Sequence, residues 1–116
     1  MKLYELLSRE ECAIGAPTLL EARIWCILNL PERQSGWLED QIENGRISVI
    51  PFSCDMADAA SKAYAGFGRG SGHPARLNFG DCMAYAVSSM LRAPLLFKGA
   101  DFAQTDVMAH PASIRR

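Results

Sequence analysis

The stretch "LNFGDCMAYAVSSMLRAPLLFKGADFAQTD", residues 77–106, indicates how the chain folds. It predicts a helix from Phe79 to about Leu91, an apolar strand over residues 94–98, and a polar turn after it. Acidic residues stand at the start of the helix and just after the strand, where they add nothing to a core. A helix that leads into a buried strand is typical of α/β proteins with a parallel sheet.

The rest of the sequence continues this alternation of helices and strands. The glycine-rich segment 67–77 contains no G-x-G-x-x-G run and predicts a flexible loop. Before it we predict helices over 2–10, from Pro17 to near Pro31, over 35–45 and over 54–66, and strands over 12–16 and 47–52. In the helix that begins at Pro17, we expect Leu20, Ile24 and Leu28 to face the core. This order predicts an α/β/α sandwich with a parallel sheet.

Length and composition predict a single globular domain, which we assign to residues 1–116. About half of the residues are hydrophobic and 22% are charged, as in ordinary globular proteins. The net charge of -1 argues against a protein that grips nucleic acid through a strongly basic surface alone. If four of the 13 acidic residues hold a metal ion, nine acidic and 12 basic residues remain, and the rest of the surface is mildly basic.

The four cysteines form no C-x-x-C pair, and no long uncharged apolar run interrupts the sequence. We therefore expect a cytoplasmic protein without a signal peptide or membrane segment, whose reduced thiols serve as small core residues. The two histidines are far in sequence from any cysteine, which argues against a structural zinc site.

Glu21 departs from the pattern of its predicted helix. Its carboxylate falls at the edge of the apolar stripe, and a buried carboxylate needs a cation or hydrogen-bond donors. The helix could equally turn so that Glu21 reaches water, Arg23 or Arg76. Taken alone, Glu21 therefore has a structural explanation as well as a functional one.

The acids of the 77–106 stretch also have structural explanations when each is taken alone. Asn78 and Asp81 have the spacing of a capping box, and an acid in the first helical turn is favoured by the helix dipole. Asp101 could cap a short helix after the strand. A shared site accounts for them together, because ligands of parallel sheets bind at the carboxyl ends of the strands.

Clustered carboxylates are tolerable when a cation lies among them. Oxygen ligands select Mg²⁺ or Mn²⁺, and water bound to such an ion can be activated to attack a phosphodiester. The residues alone therefore predict metal-assisted phosphodiester hydrolysis. We also expect Arg69, His73 and Arg76, in the loop before the site, to contact RNA phosphates, with a solvated surface loop as the alternative.

Residues 77–107 resemble the PIN-domain ribonuclease toxins of the VapC type. They contain N-F-G-D-C, an alanine-rich helix, P-L-L-F-K-G and D-F-x-x-T-D in the order found in that family, and "APTLLEARIW" is similar to its second acidic motif. The resemblance assigns the site residues as follows: catalytic and metal-binding acids Glu21, Asp81 and Asp101, a further metal ligand Asp106, and supporting residues Asn78 and Thr105.

The resemblance also implies a function and partners. It implies a PIN-like fold, a homodimer, a cognate antitoxin, and Mg²⁺- or Mn²⁺-dependent cleavage of RNA as the toxin of a type II toxin–antitoxin pair. Family members open with a central strand that carries a first acid, and no residue here matches it, so we expect that strand to be missing from this sequence. Two alternatives follow: a shortened, non-catalytic homologue that still binds an antitoxin, and a metal-dependent nuclease or phosphatase acting on DNA or nucleotides.

Overall fold

The computed structural model describes residues 12–30, 32–96, 101–111 and 113. The described part forms two compact units, with the boundary between Pro51 and Phe52. The helix predicted over residues 2–10 lies outside the described residues. The α/β/α arrangement of layers and the assignment of one domain to residues 1–116 stay predictions.

The first unit contains a two-stranded parallel sheet. Its elements are β1 (Cys12–Gly15), α1 (Ala16–Asn29), α2 (Glu32–Glu43) and β2 (Ile47–Ile50). β1 pairs with β2 in parallel, with Cys12 opposite Ile47. Parallel neighbours require a long crossover connection, and the two helices between the strands provide it. The α/β class and the parallel pairing predicted from the sequence are therefore confirmed.

Most of the large apolar side chains of α1 are exposed. Leu20, Ile24 and Leu28 are 58%, 47% and 76% exposed, so the prediction that they face a core is wrong. The buried residue is Leu19, and Ala22 and Cys26, three and seven residues later, are partly buried. Apolar residues lie on more than one face of α1, and the stripe that packs is the one with the smaller side chains.

The second unit is mainly helical. Its elements are α3 (Cys54–Phe67), α4 (Phe79–Leu91) and a short 3-10 helix (Phe102–Gln104). The Ser53 hydroxyl caps α3 by accepting a hydrogen bond of 3.2 Å from the Met56 N–H. The bounds of α4 match those predicted from the sequence. The core of this unit consists of Ala63, Ala75, Leu77 and Cys82, packed against Ala60, Phe67, Tyr85 and Phe102.

The strand predicted over residues 94–98 does not form in its described part, residues 94–96. Leu95 makes an isolated parallel bridge with Ala109, in which the Leu95 N–H donates to the Met108 carbonyl at 2.7 Å. Pro94 has no N–H to donate, so it cannot extend this pairing as a donor. Residues 97–100 lie outside the described residues.

A loop over residues 68–77 connects α3 to α4 and is joined at its base. Gly68 and Leu77 form a parallel bridge, the Leu77 N–H donates to the Phe67 carbonyl at 2.8 Å, and the Arg69 N–H donates to the Leu77 carbonyl at 3.0 Å. A Cβ atom at Gly68 would lie 2.4 Å from the carbonyl oxygen of Tyr64. Glycine is therefore needed at this close approach of the loop to the end of α3.

The cysteines differ in their surroundings. Cys82 is buried in the core of the second unit, and its burial, with a smaller contribution from the charge of Asp81, raises the pKa of its thiol. Cys82 therefore has the role of a small core residue, as predicted, whereas Cys54 is exposed and the prediction is wrong there. None of the helices in the described part of the chain is long and apolar enough to span a membrane.

Candidate functional site

Asp81 is fixed at the start of α4 by a reciprocal pair of hydrogen bonds. The Asp81 N–H donates to Oδ1 of Asn78 at 2.8 Å, and Oδ2 of Asp81 accepts from the Asn78 N–H at 3.1 Å. The predicted capping box is therefore present. Oδ1 of the half-buried Asp81 carboxylate makes no hydrogen bond with the described residues, so this oxygen can coordinate a cation or accept a hydrogen bond.

Asp106 is linked to the same helix through Tyr85. The Tyr85 hydroxyl donates a hydrogen bond to Oδ1 of the exposed Asp106. Burial, and then this hydrogen bond, raise the pKa of Tyr85 to about 12, so the phenol stays protonated as a donor. Tyr85 lies one turn after Asp81, and residues four apart share one face of a helix. α4 therefore supplies one acid directly and fixes a second through its tyrosine.

Sequence reasoning missed Tyr85. Its spacing of four residues from Asp81 was a usable signal, because it puts an aromatic hydroxyl on the same helical face as a candidate acid. A shallow pocket beside the pair is lined by Tyr85, Ser88, Ser89, Arg92, Ala93, Asp106, Val107 and Met108. Asp106 is thus reachable from solvent.

The turn before Asp106 is stabilised by Thr105. The Thr105 hydroxyl donates to the Phe102 carbonyl at 2.7 Å and accepts from the Val107 N–H at 3.2 Å. Thr105 therefore supports the position of Asp106 through the backbone. Asp101 is exposed at the N-terminal end of the 3-10 helix, where its side chain makes no capping hydrogen bond. Asp101 is the N-cap residue of this short helix, as its structural explanation predicted, but it accepts the Gln104 N–H through its backbone carbonyl at 3.2 Å and not through its side chain.

Glu21 lies in the first unit, on the exposed side of α1. It does not pair with Arg23, because that guanidinium forms a bidentate contact with Glu39 of α2 at 2.7 and 2.9 Å. The hydrogen bond from Arg23 lowers the pKa of Glu39, while both side chains remain about half exposed. Among the structural explanations for Glu21, the structure favours access to water over a pair with Arg23.

The chemistry of these donors fits a hard divalent cation. Mg²⁺ is commonly held by one or two carboxylates together with water and substrate phosphates. In the second unit, the hydrogen bonds described above use Oδ2 of Asp81 and Oδ1 of Asp106, so the other oxygen of each carboxylate could bind such an ion. Within the residues that the structure describes, no group of three or more His, Cys, Asp or Glu side chains is placed to hold a metal ion. The four-acid metal site stays a prediction.

The loop residues predicted to contact RNA have different surroundings. Arg69 and Arg76 are exposed, and Arg76 has a left-handed backbone with φ of 51°. The side chain of His73 makes contacts within the protein. Its Nδ1 accepts a hydrogen bond of 3.0 Å from the Ala75 N–H, and its ring packs edge-on against Phe67 with centroids 4.9 Å apart. The contacts of these residues with RNA stay predictions.

Comparison with known proteins decides the family. A family model described as the PIN domain matches residues 1–108. The chain belongs to the PIN-domain family. This PIN-domain chain is also 51% identical over 108 residues to Ribonuclease VapC42 of Mycobacterium tuberculosis (strain ATCC 25618 / H37Rv), a match that covers 90% of the chain and 81% of the relative. The same values hold for the VapC ribonuclease Mb2780c of Mycobacterium bovis (strain ATCC BAA-935 / AF2122/97).

A second group of relatives matches a shorter part of the PIN-domain chain. Ribonuclease VapC28 of Mycobacterium tuberculosis (strain ATCC 25618 / H37Rv) is 53% identical over 70 residues, which is 60% of this chain and 53% of VapC28. The match to VapC28 thus spans about half of that relative's length. These similarities confirm the resemblance to VapC-type ribonuclease toxins that the motifs predicted.

Proposed function

We propose that this PIN-domain chain is a Mg²⁺- or Mn²⁺-dependent endoribonuclease, the toxin of a type II toxin–antitoxin pair, that acts in the cytoplasm. The observation that carries the proposal is the arrangement on α4: Asp81 is fixed at the helix start, and Asp106 is fixed by Tyr85 one turn later. Its relatives are VapC ribonucleases, and carboxylates held in place, Asp81 by Asn78 and Asp106 by Tyr85, are ligands suited to the metal chemistry of phosphodiester cleavage.

The proposed roles of the residues combine the resemblance to VapC-type toxins with the contacts of Asn78 and Thr105. A bound Mg²⁺ ion supplies an activated water and stabilises negative charge on the phosphoryl oxygens. Asp81, Asp101, Asp106 and Glu21 are the proposed ligands. Asn78 orients Asp81 by accepting its N–H and donating to Oδ2, and Thr105 holds the turn that carries Asp106. These supports keep the carboxylates in place before metal or RNA arrives.

We propose that the protein forms a homodimer and binds a cognate antitoxin. The antitoxin proposal is supported by the exposed apolar side chains of α1, which a partner would remove from water. These side chains are Leu20, Ile24, Trp25, Ile27 and Leu28. The non-catalytic alternative shares this binding surface but not the chemistry, so a cleavage assay separates the two functions.

The function is tested by incubating the 116-residue protein with labelled structured RNA and Mg²⁺ or Mn²⁺. We expect discrete RNA fragments that disappear when EDTA is added and return when excess Mn²⁺ is restored. A single-stranded DNA of the same sequence should remain intact. Intact RNA at every metal concentration would contradict the ribonuclease proposal, and binding of an antitoxin by the same inactive protein would favour the non-catalytic alternative.

The loop arginines should contribute to RNA affinity through phosphate contacts. For single strands, log affinity falls with log salt by about 0.7 for each phosphate contact. The double variant Arg69→Ala/Arg76→Ala should therefore lower this slope by about 1.4 and weaken binding similarly for different RNA sequences. Fluorescence anisotropy between 50 and 200 mM salt, in EDTA to prevent cleavage, measures both quantities.

Lys62→Ala is the matched control for this measurement, because Lys62 is an exposed cation on α3 that lies outside the loop. It should leave the slope near the wild-type value. An unchanged affinity and slope in the double arginine variant would show that residues 68–77 form a solvated surface loop without a role in RNA binding.

A further inference from the structure

Tyr85 occupies a position set by the core of the second unit. Its ring packs against the buried cluster that contains Leu77 and Cys82, and it lies 5.8 Å from the ring of Phe67 at an angle of 52°. Aromatic contacts of this kind restrict where the ring can lie. The hydroxyl therefore reaches the edge of the core at a defined place, which is on the helical face that also carries Asp81.

Asp106 has few constraints of its own. It is exposed, it follows the 3-10 helix, and it belongs to no helix or strand. The Tyr85 hydroxyl is its one side-chain hydrogen-bond partner within residues 12–30, 32–96, 101–111 and 113. The backbone turn made by Thr105 sets the position of the residue, and among the described residues Tyr85 is the one whose side chain holds the direction of its carboxylate.

We propose that Tyr85 is a positioning residue that orients the Asp106 carboxylate as a metal ligand. The inference rests on the proposed metal-dependent function and adds to it a residue that contacts neither metal nor RNA. A phenol donates one hydrogen bond, so it holds Oδ1 of Asp106 and leaves Oδ2 for the cation. Hydrogen-bond partners of metal ligands orient those ligands, and their removal typically lowers metal affinity or activity by about 10–100-fold.

Tyr85→Phe tests this role, because it removes the hydroxyl and keeps the ring in the core. We expect Mn²⁺, titrated alone into the RNA-free protein by calorimetry, to bind about 10–100-fold more weakly than to the wild type. Tyr64→Phe is the matched control: Tyr64 lies on α3, is 45% exposed, and its hydroxyl makes no hydrogen bond with the described residues. Its Mn²⁺ affinity should equal that of the wild type.

A double-variant cycle distinguishes positioning from a general structural effect. In an Asp106→Asn background, Tyr85→Phe should cause little further loss of Mn²⁺ affinity, because the ligand that it orients is already changed. Asp106→Asn leaves the Tyr85 ring in place, so it also keeps the test decisive if Tyr85→Phe does not fold. In that event, wild-type Mn²⁺ affinity in Asp106→Asn overturns the inference, and a loss of tenfold or more supports it.

The outcomes separate this inference from the proposed function. Unchanged Mn²⁺ affinity in folded Tyr85→Phe, or additive losses in the cycle, overturn the role of Tyr85 alone. A wild-type protein that binds Mn²⁺ but leaves RNA intact overturns the ribonuclease proposal, while the Mn²⁺ affinities still decide the role of Tyr85. A wild-type protein that binds no Mn²⁺ overturns both.

Discussion

Asp81→Asn is expected to lower the rate of RNA cleavage at least about a hundredfold, because it removes the charge of a proposed metal ligand. Mutating only a hydrogen-bond partner of a metal ligand already lowers metal affinity or activity by about 10–100-fold. The metal-free fold should lose little stability. The asparagine carbonyl can still accept the hydrogen bond from the Asn78 N–H, and only the charge at the helix start is lost, at a cost of about 0.3–1 kcal/mol. Initial cleavage rates and urea unfolding in EDTA measure the two effects.

Asp81→Ala completes the comparison, because it removes both the charge and the capping acceptor. We expect it to be equally inactive and to lose about 0.5–2 kcal/mol of unfolding free energy, the usual cost of a lost cap. Asp58→Asn, which neutralises an exposed acid of α3, is the control and should cleave RNA at the wild-type rate. Full activity in Asp81→Asn would show that Asp81 serves only to start α4.

Leu77→Ala is expected to cause the largest loss of stability, about 2–5 kcal/mol of unfolding free energy. Leu77 is fully buried and is the largest side chain with no exposed surface in the described part of the protein. It also lies at the base of the 68–77 loop, immediately before the residue that caps α4. Removing its side chain leaves a cavity between the loop and the helices, which unfolding in urea measures directly.

Met90→Ala provides the comparison for this cavity. Met90 lies near the end of α4 and is 44% exposed, so its loss should cost less than about 1 kcal/mol. If Leu77→Ala also costs less than about 1 kcal/mol, the second unit can close around the missing side chain, and Leu77 is not the anchor of the loop.

Local signals in the sequence were sufficient for the two α-helices of the second unit. α4 was predicted from Phe79 to Leu91, and its capping box was visible as Asn78 followed by Asp81, because both depend on residues within one turn of each other. The face of α1 could not be chosen in this way. Large apolar residues occur around much of that helix, and the face that is buried depends on how it packs against β1, α2 and β2, which its own sequence does not show.

The candidate site shows the same division. Asp81, Asp101 and Asp106 stood out because each follows a recognisable element boundary, and family motifs supported them. The bond between Tyr85 and Asp106 joins residues 21 apart, and no spacing in the sequence reveals it. The predicted strand over residues 94–98 failed for a related reason: apolar residues indicate burial, whereas an extended ladder also requires a neighbouring strand, and Leu95 finds only a single bridge with Ala109.

The joined base of the 68–77 loop bears on how such a protein can diversify. Gly68 and Leu77 hold the two ends of the loop together and Ala75 is buried in the core, so the backbone that leads into α4 does not depend on the exposed residues 70–72 at the tip. Surface loops tolerate changes in length and composition when their ends are held. New sequences can therefore be exchanged at residues 70–72, by evolution or by loop grafting, without moving Asp81.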